Sequence, residues 1–455
     1  MALTGRAALL ALVGTLAVLF APRPGLAMAA VALLIAALVV ADLLLAGGVR
    51  SLRFTRAGER LVRLGESVTV ELIVENPGPR RARGVLRDAW PPSAGAAPRH
   101  LPLDVPPGER RRLVTTLTPT RRGDREAVTV TVRTLGPLGV AARQGSHRVP
   151  WSVRVLPPFL SRKHLPAKLS RLRELEGQHP SMVRGQGTEF DSLREYVAGD
   201  DVRSIDWRAT ARRDDVVVRT WRPERDRRVL IVLDTGRTSA GRVGIAPVPT
   251  AGAEPPSTGR AGEPRVVPGW PRLDWSMDAA LLLAALASRA GDRVDLMAHD
   301  RAVRAWVSGT GRTELLSSLV TTMAPIEAEL VEADSAGMVA AVLSRARRRC
   351  LVVVLTDLNP AALEEGLLPV LPRLSSRHLV LLAAVSDPQV AEMAAGRGTS
   401  ELVYGAAAAE HLAAGRRRIT ALLRAQGVEV VDAAPDRLAP ALADAYLALK
   451  AAGRL

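Results

Sequence analysis

Hydrophobic positions follow three different rhythms along the chain. From Ala7 to Ala21, and again from Gly25 to Ala41, there is no charged residue, and Asp42 is followed by Leu43, Leu44 and Leu45. Pro22-Arg23-Pro24 separates the two stretches as a short turn. A membrane-spanning helix needs about 20 apolar residues. The second stretch reaches that length with Asp42 near the interface; the first is short and has to thin the bilayer or borrow flanking residues. Residues 1–48 therefore predict a transmembrane hairpin of two helices. The rival reading is a secretory signal cut after Ala27-Met28-Ala29, but the apolar run continues well past that site.

A second rhythm runs through residues 49–157. Val68, Val70, Leu72 and Val74 alternate with Thr69, Glu71 and Ile73, and Val128, Val130 and Val132 alternate with Thr129, Thr131 and Arg133. Period two marks half-buried strands. The turn clusters Asn76-Pro77-Gly78-Pro79, Pro106-Pro107-Gly108 and Arg122-Gly123-Asp124 separate them, which predicts a small β-sandwich. His100 and His147 read as surface residues.

In the third rhythm, over 228–455, continuous apolar runs alternate with helical patterns. Val229–Leu233, Leu351–Leu355 and Leu379–Val385 read as parallel strands buried on both faces. Arg293–Ala298, Val303–Val307 and Val428–Val431 complete the strands. Helices are expected at Leu273–Ala290, 360–372, 388–395, 405–425 and 436–450, and a flexible Pro/Gly/Ala-rich insertion at 240–271. The order predicts an α/β doubly wound sheet.

Between the second and third regions lies a dense segment, 158–227. It holds Arg184-Gly-Gln-Gly-Thr-Glu-Phe190, Arg194-Glu-Tyr196, Gly199-Asp-Asp201 and Ile205-Asp-Trp-Arg-Ala-Thr-Ala-Arg212, then Trp221 and Glu224-Arg-Asp226. Phe190, Leu193, Tyr196 and Val197 fall at helical spacing, and Val216–Trp221 reads as a strand. Neighbouring arginines lower the pKa of a carboxyl and disfavour a general acid. The segment is therefore expected to be a latch of arginine–carboxylate bonds with Trp207 buried. An active site using Glu189 or Asp206 is the alternative.

Composition narrows the choice. There are 62 basic and 46 acidic residues, net +16, yet aromatics are only 3%. The arginines are spread along the whole chain rather than gathered in stripes with aromatics, so no nucleic-acid partner is expected. Attraction to an anionic membrane surface adds to the meaning of the charge. Arg50, Arg53, Arg56, Arg60 and Arg63 follow the second span while the hairpin turn carries Arg23. Positive-inside orientation then places the chain in the cell membrane as a multi-pass protein with its soluble domains cytoplasmic. The single cysteine, Cys350, opens a buried strand and reads as core. None of the three lysines follows a glycine, which excludes a Walker-type phosphate loop. There is no Gly-x-Ser-x-Gly elbow and no His-Glu-x-x-His pair.

Ligands of open α/β sheets bind beyond the carboxyl ends of the strands, where Asp234 and Asp357 fall. Strand-Asp234-Thr-Gly-Arg-Thr238 and strand-Thr356-Asp357 resemble a von Willebrand factor type A domain. The segment from Gly185 to Arg212 resembles the domain-of-unknown-function family number 58. The resemblance covers nearly the whole chain. It implies four parts: the hairpin (1–48), a β-sandwich-like domain (49–157), the signature segment (158–227) and a type A-like domain (228–455). It also implies protein binding beside a MoxR-type AAA+ ATPase, with no established enzymatic activity. A type A loop set would hold Mg²⁺ through Asp234, Thr238, Thr313 (or Thr310) and Asp357. The first serine of the usual Asp-x-Ser-x-Ser pattern is replaced here by Gly236, which removes one ligand. The expected function is a membrane-anchored adaptor in assembly or maturation of a protein complex. The alternatives are a carboxylate-based hydrolase and a cell-envelope construction protein, the latter needing the opposite topology.

Overall fold

The structure, a computed structural model, describes residues 2–178, 189–197, 202–212, 215–222, 227–245 and 268–455. Most of the expected insertion 240–271 lies outside the described residues, as do Arg184–Thr188, Gly199–Asp201 and Glu224–Asp226 of the signature. The protein is a mixed α/β structure with several sheets. The chain divides into two compact units, one built mainly from residues 1–158 and the other mainly from 159–455.

The first unit opens with a two-residue strand β1 (Ala2–Leu3) and two apolar helices, α1 (Gly5–Leu19) and α2 (Pro24–Leu45). Among the described residues, only α2 is long and apolar enough to cross a membrane; α1, at 15 residues, spans about 22 Å at 1.5 Å per residue. The two helices approach closely at Gly14, where any Cβ would collide with Val31. The small residue thus sets their packing distance.

Nine further strands follow: β2 (Arg53–Gly58), β3 (Leu61–Arg63), β4 (Val68–Glu75), β5 (Ala82–Asp88), β6 (Ala96–Ala97), β7 (His100–Val105), β8 (Arg110–Leu117), β9 (Gly123–Leu135) and β10 (Ala141–Leu156). They form two sheets, β1-β10-β9-β5-β7 with β3 alongside β10, and β2-β4-β8-β6. Leu72 and Val74 of one sheet share a core with Leu86, Leu103, Val130 and Val132 of the other. Leu72, Val74, Val130 and Val132 are positions the period-two pattern assigns inward, whereas Val128 of the same series is exposed. A buried ion pair lies in this unit: Arg56 Nη2 sits 2.6 Å from Asp88 Oδ1, with both side chains almost fully enclosed. Arg56 therefore does not act as the exposed positive charge that the topology argument counted. His147 is not a free surface residue either, since its ring packs on Phe54 with centroids 4.7 Å apart.

Asp42 explains how a carboxylate is tolerated at the end of an apolar helix. Its Oδ1 accepts from Leu138 N–H at 2.8 Å, and its Oδ2 accepts from Val140 and Ala141 N–H at 2.7 and 2.8 Å. The β9–β10 turn thus caps the foot of α2 and satisfies the buried charge.

The second unit begins with α3 (Leu165–Gln178), then β11 (Glu189–Glu195), α4 (Trp207–Thr210) and β12 (Val217–Arg222). The helix expected over 190–197 is a strand instead, paired antiparallel with β12. A seven-residue segment is too short to hold a helix without tertiary support, whereas the ladder to β12 satisfies its backbone directly.

Its main sheet has the order β17-β16-β13-β18-β19-β20. The strands are β13 (Arg228–Asp234), β16 (Arg293–His299), β17 (Val303–Val307), β18 (Leu351–Leu355), β19 (Leu379–Val385) and β20 (Glu429–Ala433). All neighbours are parallel except the edge pair β16–β17. A short pair, β14 (Arg242–Ile245) with β15 (Pro268–Pro271), stands apart.

The helices are α5 (Arg237–Ala240), α6 (Arg272–Arg289), α7 (Leu315–Met323), α8 (Ser335–Arg345), α9 (Pro360–Ala362), α10 (Leu371–Ser375), α11 (Pro388–Ala394), α12 (Ser400–Ala425) and α13 (Pro435–Ala451). The single helix expected at 360–372 is broken into α9, a π-helical turn Leu363–Leu367 and α10. Pro369 and Pro372 remove backbone donors there. Leu230 and Val232 pack with Val339, Val342, Ile419 and Leu423, while the intervening Val229, Ile231 and Leu233 are also buried. Helix α6 packs against β13 and β16, and α13 against β19 and β20. It is buried from Leu273 through Ser288, as expected of a helix that is apolar nearly all round.

Candidate functional site

The carboxyl ends of β13, β16 and β18 bring several carboxylates and hydroxyls to one edge. Asp234 ends β13 and is 8% exposed. Its Oδ1 accepts from Gly236 N–H at 2.8 Å, and its Oδ2 accepts from Thr238 Oγ1 at 3.0 Å and Thr356 Oγ1 at 2.6 Å. Thr235 Oγ1 donates to Asp300 Oδ2 at 3.1 Å. Burial alone would raise the pKa of Asp300, but Arg301 N–H, Ala302 N–H and the Thr235 hydroxyl hold it below the ordinary carboxylate value. The α7–α8 loop closes over the same edge: Val331 C=O accepts from Arg237 N–H at 2.8 Å, and Thr235 C=O from Glu329 N–H at 2.8 Å. His299, buried beside these groups, is kept below its ordinary pKa chiefly by desolvation.

Of the residues proposed as metal ligands, the structure brings Asp234 and Thr238 together. Asp357 is engaged elsewhere: its Oδ1 accepts from Arg416 Nη1 at 2.7 Å, with Arg272 Nε at 3.4 Å. Arg416 is itself held by Asp432 at 2.7 Å. Burial would lower its pKa, but Asp432 and Asp357 raise it, so the guanidinium stays charged.

Thr313 is not at this edge. Because β17 runs antiparallel, the chain returns after Val307 to the amino ends of the parallel strands. There Thr310 lines a cavity of about 900 Å³ with Arg228, Arg293, Arg312 and Arg349, and Thr313 lies exposed in the turn before α7. The spacing Gly309-Thr-Gly-Arg-Thr313 pointed to the wrong end of the sheet, since sequence alone does not show that the strand before it is antiparallel.

This donor set does not fit a Mg²⁺ ion: Gly236 offers no side-chain oxygen, Thr313 is at the far edge, and a guanidinium occupies Asp357. Among the described residues, no group of three or more His, Cys, Asp or Glu is gathered as for a metal. Sequence reasoning missed Arg416, which no local signal links to Asp357. Thr356, beside Asp357 in the sequence, is the hydroxyl that closes on Asp234. Cys350 is buried as expected, its thiol pushed up to about 11 by burial; it packs against His378 Nδ1 at 3.4 Å, a pairing the sequence did not reveal.

The arginine–carboxylate contact around Asp206 is internal to the signature segment, and Trp207 departs from the expected latch to the next domain. Asp206 caps α4, its Oδ1 accepting from Arg208 and Ala209 N–H at 3.0 Å each. Its Oδ2 binds Arg219 Nε at 2.8 Å, and that bond, more than the cap, holds its pKa below the ordinary value. This is the opposite of what a general acid needs. Trp207, expected in the core, is 66% exposed. Tyr196, Val197, Val202 and Val216 are exposed as well. Tyr196 N–H donates to Val216 C=O at 2.8 Å and Asp206 N–H to Val217 C=O at 2.9 Å, so these residues border the start of β12 together. Glu189, the other carboxylate considered for catalysis, sits at backbone register with Arg222.

A mainly parallel sheet with its polar groups at the strand ends defines the class of protein, an α/β platform whose loops are tied to one another. The family follows from comparison. Residues 192–243 and 272–421 match the family described as "Protein of unknown function DUF58", so the C-terminal region of this chain is a DUF58 region. An uncharacterized protein of Mycobacterium bovis is 28% identical over 222 residues, 48% of this chain and 61% of its own length. An uncharacterized protein of Mycobacterium tuberculosis aligns with the same figures. The chain thus matches about three fifths of the length of these relatives. Among solved structures, the CARDB domain of a Pyrococcus furiosus protein is 19% identical with TM-score 0.19, covering 23% of this chain and 91% of that one. A PapD-like domain of human CEP192 is 12% identical with TM-score 0.18, covering 23% and 84%.

Proposed function

We propose that the protein is a membrane-anchored, cytoplasm-facing adaptor that binds a partner protein through its signature segment. The hairpin α1–α2 serves as the anchor. The second unit serves as a von Willebrand factor type A-like platform whose loops work without a metal. The partner class implied by the family resemblance is a MoxR-type AAA+ ATPase, and the task implied is assembly or maturation of a protein complex.

The observation that carries the reading is the exposure of Trp207 beside Tyr196, Val202 and Val216. Large exposed aromatics bordered by branched apolar residues are the groups that anchor interfaces. The strand order, with one antiparallel edge strand, supports the type A-like assignment, and the closed hydrogen bonding of Asp234 supports a rigid, metal-independent loop set.

The test is co-purification of the detergent-solubilised full chain with candidate ATPases, in Mg²⁺ and in chelator. The expected result is retention of the ATPase under both conditions, and its loss from Trp207→Ala protein whose melting temperature is unchanged. Retention by Trp207→Ala at the wild-type level would sink the interface. Loss of wild-type binding in chelator would return the metal loop to consideration.

A further inference from the structure

A cavity of about 1090 Å³ opens in the first unit where the two apolar helices join the β layers. Thr4 and Gly5 at the start of α1, Leu45 at the end of α2, and Arg6, Arg80, Arg81 and Arg83 line it. No acidic residue does. Two carboxylates lie nearby: Asp104 is taken by Arg81 in a paired contact at 2.5 and 2.7 Å and its charge also reaches Arg83, and Asp42, beneath the β9–β10 turn, spends its oxygens on the N–H groups of Leu138, Val140 and Ala141. Arg6 Nη1 donates to Leu138 C=O at 3.1 Å and Arg80 Nη1 to Leu44 C=O, so both are held in place by neutral oxygens. Arg83 makes no hydrogen bond or ion pair among the described residues.

The start of α1 adds to this charge. Thr4 spends its hydroxyl on Gly139 C=O at 2.6 Å and Val140 C=O at 3.0 Å instead of capping the helix, and the first turn carries no acidic residue. The positive end of the helix dipole therefore stands uncovered beside four guanidinium groups. Away from the cavity, α1 and α2 present Leu9, Leu12, Leu33 and Leu34 to the outside. One face of the site calls for an anion and the adjoining surface for hydrocarbon.

We propose that this cavity binds the headgroup of an anionic phospholipid, with the phosphate among Arg6, Arg80 and Arg83 and the acyl chains along the α1–α2 surface. The inference rests on the membrane anchor of the proposed function. It adds a defined lipid site, which seats the first unit against an anionic leaflet instead of leaving it tethered by the hairpin alone. Basic pockets at the foot of membrane helices bind such headgroups, each cation being worth about fivefold in affinity.

The experiment is native mass spectrometry of the detergent-solubilised full chain titrated with phosphatidylglycerol, with phosphatidylcholine, and with inorganic phosphate. The expected result is retention of phosphatidylglycerol at least about tenfold over phosphatidylcholine, falling roughly fivefold in Arg83→Gln and further in Arg6→Gln/Arg83→Gln. The preference should also shrink as salt rises from about 0.05 to about 0.5 M. Arg83→Gln disturbs no hydrogen bond, so an unchanged melting temperature separates lost binding from lost folding. Equal retention of the two lipids by the wild type, or an unchanged preference in the variants, overturns the proposal. Phosphate binding as tight as the lipid would assign the site to a soluble anion and overturn it too. Alkaline washing of membranes distinguishes the two failures. A chain that stays in the membrane without lipid preference loses only this site, whereas a chain that washes out loses the anchor as well.

Discussion

Asp278 is a carboxylate on the most enclosed helix of the second unit. Its Oδ1 accepts from Ser161 N–H at 3.1 Å, yet burial pushes its pKa from the ordinary 3.8 to about 6. Between those values the folded protein holds a proton that the unfolded chain has released. Stability is therefore greatest at the acid end of this window and falls as pH rises from about 4 to about 6. Above it the ionised group carries the full cost of burial, roughly 3 kcal/mol. Asp278→Asn keeps an oxygen acceptor for Ser161 and removes the charge. Its melting temperature should exceed the wild type at pH 7.5 and converge with it near pH 4; a gap independent of pH would mean that the carboxylate is not buried as described. Gly236 makes a second residue-level case. A Cβ there would lie 3.1 Å from Asp234 Oδ1, 3.1 Å from Val331 C=O and 3.3 Å from Ala333 Cβ. Gly236→Ser should cost about 1–2 kcal/mol from crowding and should create no metal site, because Arg416 still occupies Asp357. Calorimetric titration with Mg²⁺ should give no binding heat for either protein, and a saturable heat from Gly236→Ser alone would contradict this.

At the scale of elements, the buried pair Arg56–Asp88 links β2 to the end of β5, with Arg56 Nε also donating to Val149 C=O at 2.9 Å and Trp90 Nε1 to Asp88 Oδ2 at 2.8 Å. Removing one partner of a buried pair strands the other charge, so Asp88→Asn should destabilise the first unit by about 3–5 kcal/mol. A denaturant midpoint unchanged in Asp88→Asn would place the pair in solvent. The same elements show what a sequence carries and what it hides. β13, β18 and β19 were legible because parallel strands covered on both faces leave uninterrupted apolar runs, as in Leu379–Val385. β11 was not, because Phe190, Leu193 and Val197 satisfy a helical spacing over a segment too short to decide, and the deciding partner, β12, lies across a connection. α7 and α8 gave no clear signal, being rich in Ser, Thr, Gly and Ala. At the site, Asp234 and Asp357 were legible as strand ends. Arg416 lies 59 residues from Asp357 within a 26-residue helix, and nothing in its local pattern separates it from the arginines around it.

For the whole molecule the open question is which face of the membrane each part meets. Arg56 drops out of the positive-inside argument, but Arg50, Arg53 and Arg60 remain exposed. Arg6, Arg80, Arg81 and Arg83 gather at the foot of the same helices. Arg23 stands at the opposite end of the hairpin, between Pro22 and Pro24. If α1 and α2 both span, Arg23 faces the outside and the arginine-rich end faces the cytoplasm. The chain permits a clean test because its one native thiol, Cys350, is buried and held at a pKa of about 11, which leaves it unreactive toward maleimides at neutral pH. In intact cells a membrane-impermeant maleimide should label Arg23→Cys and leave Arg50→Cys unlabelled until the membrane is opened. Labelling of Arg50→Cys alone would reverse the orientation and remove a cytoplasmic ATPase from the candidate partners. Labelling of neither before lysis would mean that α1, only 15 residues long, fails to cross and that the hairpin lies in one leaflet. The arginine-lined cavity would then still meet the anionic surface, but the anchor would be interfacial rather than spanning.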